Sequence, residues 1–190
     1  MSDHTVTVIP QFRDAMADCR RLYLSSAHVC LEHVPDVIEQ SRQDFLRRMI
    51  DLHKGLIIKI YVTIAEADLR WSKPEQQLAR ELIDHIWQQR LHGGQLKQAA
   101  ERMFADARDL KWSALVRPFE QFAPLRENVA DLETVIMRLG NLVAKSDGEV
   151  SPGEANTLLM IQQEIDIQLK RLSLDGPKEY DRERQQSQQA

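Results

Sequence analysis

The sequence is poor in the residues that make tight turns and covalent staples. It has two cysteines, seven glycines and seven prolines in 190 residues. Two cysteines are too few for a disulfide scaffold, and the spacing of Cys19 and Cys30 fits no zinc pattern. They are expected as buried thiols in a reducing compartment. Scarce glycine and proline favour long helices over many short strands. There is no basic block, and the net charge is −4, which excludes nucleic-acid binding through a broad positive face. Only the pairs Arg20–Arg21 and Arg47–Arg48 could make a local patch, and paired arginines are usually solvated faces. Long apolar runs are also missing. The longest, Leu56 to Ile60, is broken by Lys59, so no membrane span is expected. The start, Met1-Ser2-Asp3-His4, has no basic stretch followed by an apolar one, and the protein is expected in the cytoplasm. Catalytic motifs are absent: no Gly-rich phosphate loop, no Gly-x-Ser-x-Gly and no His-Glu-x-x-His.

What is present is helical periodicity. Phe12, Met16, Cys19, Tyr23 and Ala27 step by three or four and predict an amphipathic helix ending near Pro35. Asp36 can cap the next, a long one through Ile38, Phe45, Met49, Leu52, Leu56, Ile60 and Ile64, with a bend expected at Gly55. Ser72-Lys73-Pro74-Glu75 is a capping box with proline in the first turn. It opens a helix through Leu78, Leu82, Ile83 and Ile86 that His92-Gly93-Gly94 is expected to stop. A shorter helix follows through Leu96, Ala99, Ala100, Met103 and Phe104. Another runs through Trp112, Leu115, Val116, Phe119 and Phe122, kinked or split by Pro118. Pro124 suits the start of a helix through Leu125, Val129, Leu132, Ile136, Leu139 and Val143, ending at Asp147-Gly148. Ser151-Pro152-Gly153-Glu154 is a second capping box, before Leu158, Ile161, Ile165 and Leu169. Asp175-Gly176-Pro177 is expected to break that helix, leaving a polar, Gln-rich tail or linker at 175–190. The expectation is an all-α bundle of about seven helices over 1–174.

The most specific feature is an internal repeat. Leu56-Ile57-Ile58-Lys59-Ile60 aligns with Val135-Ile136-Met137-Arg138-Leu139. The same register pairs Asp68 with Asp147, Ser72 with Ser151, Glu75 with Glu154, Leu82 with Ile161 and Ile86 with Ile165. The offset is 79 throughout (147 − 68, 151 − 72, 154 − 75), without gaps. Each copy, about 54–90 and 133–169, reads as incoming helix, acidic loop, capping box and outgoing helix.

The segment Leu142-Val143-Ala144-Lys145-Ser146-Asp147-Gly148-Glu149-Val150-Ser151-Pro152-Gly153-Glu154 resembles the hallmark of TerB-like, tellurite-resistance-associated domains: Ala-x-x-Asp-Gly-x-(Ile/Val)-Ser-x-x-Glu between two helices. The first copy, Ala65 to Glu75, is similar but has Leu69 for the loop glycine and Trp71 for the small aliphatic residue. The resemblance, covering roughly Lys54 to Leu169, implies an all-α fold with duplicated helix pairs. It also implies clustered acids for which divalent-metal binding has been proposed, and settings that include stress-response proteins and fusions to DnaJ-type co-chaperones.

The loops offer Glu66, Asp68 and Glu75 on one side and Asp147, Glu149, Glu154 and the Ser151 hydroxyl on the other. Such oxygen donors suit Ca²⁺, Mg²⁺ or Mn²⁺. The spacing is not that of an EF-hand. If the copies pack about a pseudo-dyad, the loops come together and a cation would relieve their repulsion. The metal residues expected on this reading are Asp68, Glu75, Asp147, Glu149 and Glu154. The same residues also have a structural use: Ser72 and Ser151 cap helices, Glu75 and Glu154 close the boxes, Asp147-Gly148 is an ordinary turn, and Arg70 could neutralise Asp68. His28, Cys30 and His33 splay apart on one helix and make a poor zinc set. His53 and His85 sit among apolar neighbours and are expected as structural histidines. Trp71, Trp87 and Trp112 are expected to pack, with Trp71 the best candidate for an exposed partner contact.

Three functions follow as expectations. The first is a non-enzymatic, metal-binding, stress-related or regulatory module. The second is an N-terminal adaptor of a larger machine, such as a AAA+ ATPase or a chaperone, working through an unidentified protein partner. The third, weakest because no nucleophile is in sight, is a metal-dependent phosphoesterase.

Overall fold

In a computed structural model, the backbone is described for residues 3–33, 39–67 and 71–187, and side chains for 7–33, 39–67 and 71–169. Seven helices follow one another: α1 (Asp3–Glu32), α2 (Glu39–Ala65), α3 (Lys73–Trp87), α4 (Gly93–Asp109), α5 (Trp112–Gln121), α6 (Val129–Ala144) and α7 (Pro152–Ser187), with a 3₁₀ turn at Ala123–Asn128 before α6. There is no strand among the described residues. The all-α expectation holds. No helix among them is long and apolar enough to cross a membrane.

The second helix is the axle of the bundle and touches all six others. Its C-terminal half explains why. Gly55, Leu56, Ile57, Ile60, Tyr61, Val62, Ile64 and Ala65 are all buried, so the helix is apolar all round rather than along one stripe, as a central helix must be. Helix α1 lays Phe12, Met16, Cys19, Tyr23 and Ala27 against it, all fully buried. The Tyr23 hydroxyl donates to the Leu115 carbonyl at 2.9 Å, and its ring meets Phe119 edge-on at 5.1 Å. Cys19 and Cys30 are free and buried, and burial pushes the Cys19 thiol up to about 12, which leaves it unreactive. Cys30 is buried while His28 and His33 are exposed, so these three do not converge on an ion.

Local details depart from the periodic reading. Helix α2 runs unbroken through Gly55, whose missing side chain instead makes room for Leu115: a Cβ there would lie 2.9 Å from its Cδ2. Helix α3 stops at Trp87, before the glycines, because Gln88 takes the left-handed conformation (φ 55°) and its N–H closes on Asp84. Gly93-Gly94 then open α4 rather than end α3. Pro118 lies inside α5 without splitting it. Helical backbone continues in α7 across Asp175, Gly176 and Pro177, where a break was expected; the downstream Lys, Glu, Arg and Gln are good helix formers. Side chains of the expected tail at 175–190 lie outside the described residues.

Candidate functional site

The inner boundaries of two helix pairs share the 79-residue offset. Helices α2 and α6 end at Ala65 and Ala144, and α3 and α7 begin at Lys73 and Pro152, both 79 apart (144 − 65, 152 − 73). Both capping boxes form. Ser72 N–H donates to Glu75 Oε2 at 2.6 Å, and Glu75 N–H donates to Ser72 Oγ at 3.3 Å. The second box matches: Ser151 N–H to Glu154 Oε2 at 2.8 Å, and Glu154 N–H to Ser151 Oγ at 3.2 Å. These reciprocal bonds satisfy orphan donors of the first turn. They also explain how two glutamates can be 4% and 5% exposed.

Tertiary packing then sets the start of the first loop against α7. Helices α2 and α6 pack directly, at Gly140, where a Cβ would lie 3.3 Å from Ile64 Cδ1 and 2.8 Å from Leu158 Cδ2. At the same end of the bundle, the Ala67 carbonyl oxygen is seated on the first turn of α7, 2.7 Å from where a Gly153 Cβ would stand. The described end of the first loop therefore rests on the second capping box.

The loops nevertheless differ. In the first, Trp71 Nε1 donates to the Tyr61 hydroxyl at 2.9 Å, and that hydroxyl donates to the Glu75 carbonyl at 2.8 Å. Phe104 of α4 meets both rings edge-on, at 5.8 Å and 6.2 Å. In the repeat register Tyr61 and Trp71 correspond to Gly140 and Val150, so the second loop has no such clamp. Burial pushes the Tyr61 phenol up, which keeps it a neutral donor. Trp71, expected as the exposed contact, is partly spent on packing and at 38% is less exposed than Trp87 at 42%. Tyr61→Phe should lower stability by about 1–2 kcal/mol, because Trp71 N–H and the Glu75 carbonyl each lose a partner. A thermal melt, with near-UV circular dichroism to follow the indole, checks this; an unchanged spectrum and melting temperature would show the clamp to be idle.

The carboxylates are distributed unevenly. Asp147 and Glu149 are exposed, and Asp147 Oδ1 accepts the Glu149 N–H at 3.2 Å across a turn in which Gly148 has φ 98°. Glu66 lies 3.5 Å from Arg108 of α4. Asp68, Leu69 and Arg70 lie outside the described residues, so the expected Asp68–Arg70 pairing does too. Among the described residues no group of three or more His, Cys, Asp or Glu side chains gathers closely enough to hold a metal ion.

Periodicity did not reveal a polar cleft at the end of α3. It measures about 510 Å³ and is lined by Arg13, Glu81, Asp84, His85 and Arg90, among others. Arg13 grips Glu81 through one guanidinium edge, Nε donating to Oε2 at 2.5 Å and Nη2 to Oε1 at 2.7 Å, which raises the Arg13 pKa further. Behind this cleft His53 is 1% exposed, its ring edge-on to His85 at 5.8 Å. His53 Nδ1, His85 Nε2 and Asp84 Oδ1 are buried without a hydrogen-bond partner. Burial above all, then the neighbouring His85, lowers the His53 pKa to about 4. The expected structural role of both histidines fits this packing. The Arg13–Glu81 contact spans 68 residues and leaves no local signal in the chain.

Comparison with family models, with curated proteins and with solved structures returns no match.

Proposed function

We propose that this chain is a non-enzymatic, TerB-like binding module whose two interhelical loops act as a pair, and that a hard divalent cation, Ca²⁺, Mg²⁺ or Mn²⁺, is the ligand their carboxylates would take. The observation that supports the reading is the seating of Ala67, the residue before Asp68 in the chain, on Gly153 in the first turn of α7. The donor chemistry fits: all the ligands offered are oxygens, which hard cations prefer. The capping bonds limit it, since Glu75 and Glu154 each already give one oxygen to a backbone N–H. Exposed Asp147 and Glu149 are therefore the leading ligands, and the reading assigns Asp68 to the same set. The bound ion would join the two loops across the α2–α6 contact and stiffen that end of the bundle.

A melt with and without millimolar cation tests this. At about 100-fold excess over Kd a cation that binds only the folded state stabilises it by roughly 2.7 kcal/mol. For a domain of this size that is a rise of about 5–10 °C. Asp147→Asn and Asp68→Asn should each abolish the gain without lowering the cation-free melting temperature. No shift with any of the three ions would end the cation reading.

A second reading is a regulatory or adaptor domain of a larger machine such as a AAA+ ATPase or a chaperone. It is favoured by the large apolar side chains that Leu159, Met160 and Ile167 expose on α7, which a partner would cover.

A further inference from the structure

A groove far from the loops has its own chemistry. It runs between the first half of α2 and α5, with Phe45, Met49 and Leu52 on one wall and Ala114, Pro118 and Phe122 on the other. Phe45, Met49 and Leu52 stand at i, i+4 and i+7, one face of the helix. Met49 is fully buried and forms the floor, while Phe45 and Phe122 meet edge-on at 5.7 Å and leave part of each ring open. The volume, about 120 Å³, suits one bulky apolar side chain.

The rim is cationic. Arg48 lines the α2 side and Arg117 the α5 side, both exposed, and among the described residues no acidic side chain lines the groove. This runs against the balance of a chain with net charge −4. The two arginines are also uncommitted. Among the described residues Arg48 and Arg117 have no ion pair, as is also true of Arg20, Arg80, Arg90, Arg102 and Arg126, whereas the other described arginines each pair with a carboxylate; what sets Arg48 and Arg117 apart is that they flank one apolar groove. The nearby Asp44 is engaged by Arg47 and Gln40 on its own helix. An apolar slot between two unpaired guanidinium groups is complementary to a helix with an apolar face and acidic flanks.

We propose that this groove docks an acidic amphipathic helix of a protein partner. One apolar anchor inserts against Phe45, Leu52 and Phe122, and carboxylates on either side meet Arg48 and Arg117. Arginine suits this role because its planar fork binds a carboxylate through two hydrogen bonds. The surface is independent of the loops, so the cation reading stands or falls separately.

The test is fluorescence anisotropy of the full chain with a labelled synthetic helix that carries leucines on one face and glutamates on the rest. The control is the same helix with lysines in place of the glutamates. The glutamate helix should bind saturably, more weakly as salt rises, and the lysine helix should not. Arg48→Glu with Arg117→Glu should weaken binding by at least about tenfold, since both rim contacts turn repulsive. Phe45→Ala should weaken it as well, by loss of the anchor's wall. The arginines are exposed, so the double variant should keep its helical circular dichroism; if it does not, Arg48→Gln with Arg117→Gln replaces it. Equal binding of both helices, no saturation with the glutamate helix, or an unaffected rim variant would overturn the proposal. So would self-association in sedimentation velocity that the rim variant abolishes, because the occupant would then be a second copy of this chain.

Discussion

Acidification from pH 7 to pH 4 should remove about 3 kcal/mol of folding stability through His53 alone. Its folded-state pKa is lowered to about 4 from an unfolded value near 6.5. The native state therefore holds the ring neutral, while the unfolded chain takes up a proton below about pH 6.5. This stability is fully present above pH 6.5 and is lost as pH falls towards 4. The causes converge from three helices. Burial comes first, with Tyr23 of α1 packed on the ring and His85 of α3 beside it. The charges of Arg20 on α1 and Lys54 on α2 also disfavour a cation there, and the Ile50 carbonyl opposes them. His85 shifts the same way for the same first reason, and so adds to the acid sensitivity. Urea melts at pH 7 and pH 4 measure the loss. His53→Leu keeps a similar volume and removes the ionisable ring. It should flatten the pH dependence and cost little at pH 7. If His53→Leu lost stability with pH as steeply as the parent, the acid sensitivity would belong to other groups.

The second large effect concerns a methyl group. At most exposed sites in a helix, replacing glycine by alanine helps by up to about 1 kcal/mol. Gly153→Ala should do the opposite and destabilise by about 2 kcal/mol, because the added Cβ meets the Ala67 carbonyl oxygen at 2.7 Å and overpacking costs about 1–3 kcal/mol. The obstacle is backbone, so no rotamer change can relieve it. Gly140→Ala is the comparison: its close contacts are Leu158 Cδ2 at 2.8 Å and Ile64 Cδ1 at 3.3 Å, side-chain ends that can give way, and its cost should be smaller. Chemical denaturation of both variants decides this. A Gly153→Ala protein as stable as the parent would mean that the first loop yields freely and that the loops are not held together. In that case the paired-loop reading would lose its main support.

Much of this architecture is visible in local chemistry. The capping boxes at Ser72–Glu75 and Ser151–Glu154 were readable from spacing, since a reciprocal cap needs only three residues of separation. The core stripes of α1, α2 and α6 were readable because helical periodicity is a short-range property. Helix ends were less so. Gln88 takes the left-handed cap expected of the following glycines, and Gly93-Gly94 start a helix. Backbone conformation at such points answers to the packing of neighbouring helices as well as to intrinsic preference.

The sequence by itself determined the helical class and the two capping boxes set 79 residues apart, because propensity, capping and periodicity act within a few residues. Only the tertiary structure decided that Ala67 rests on Gly153, that Tyr61 and Phe104 clamp Trp71, that His53 and His85 are buried as a pair, and that Phe45 and Phe122 face each other between two unpaired arginines. Each of those joins helices whose separation in the chain carries no local signal. Which faces meet is set by how seven apolar surfaces can be buried at once.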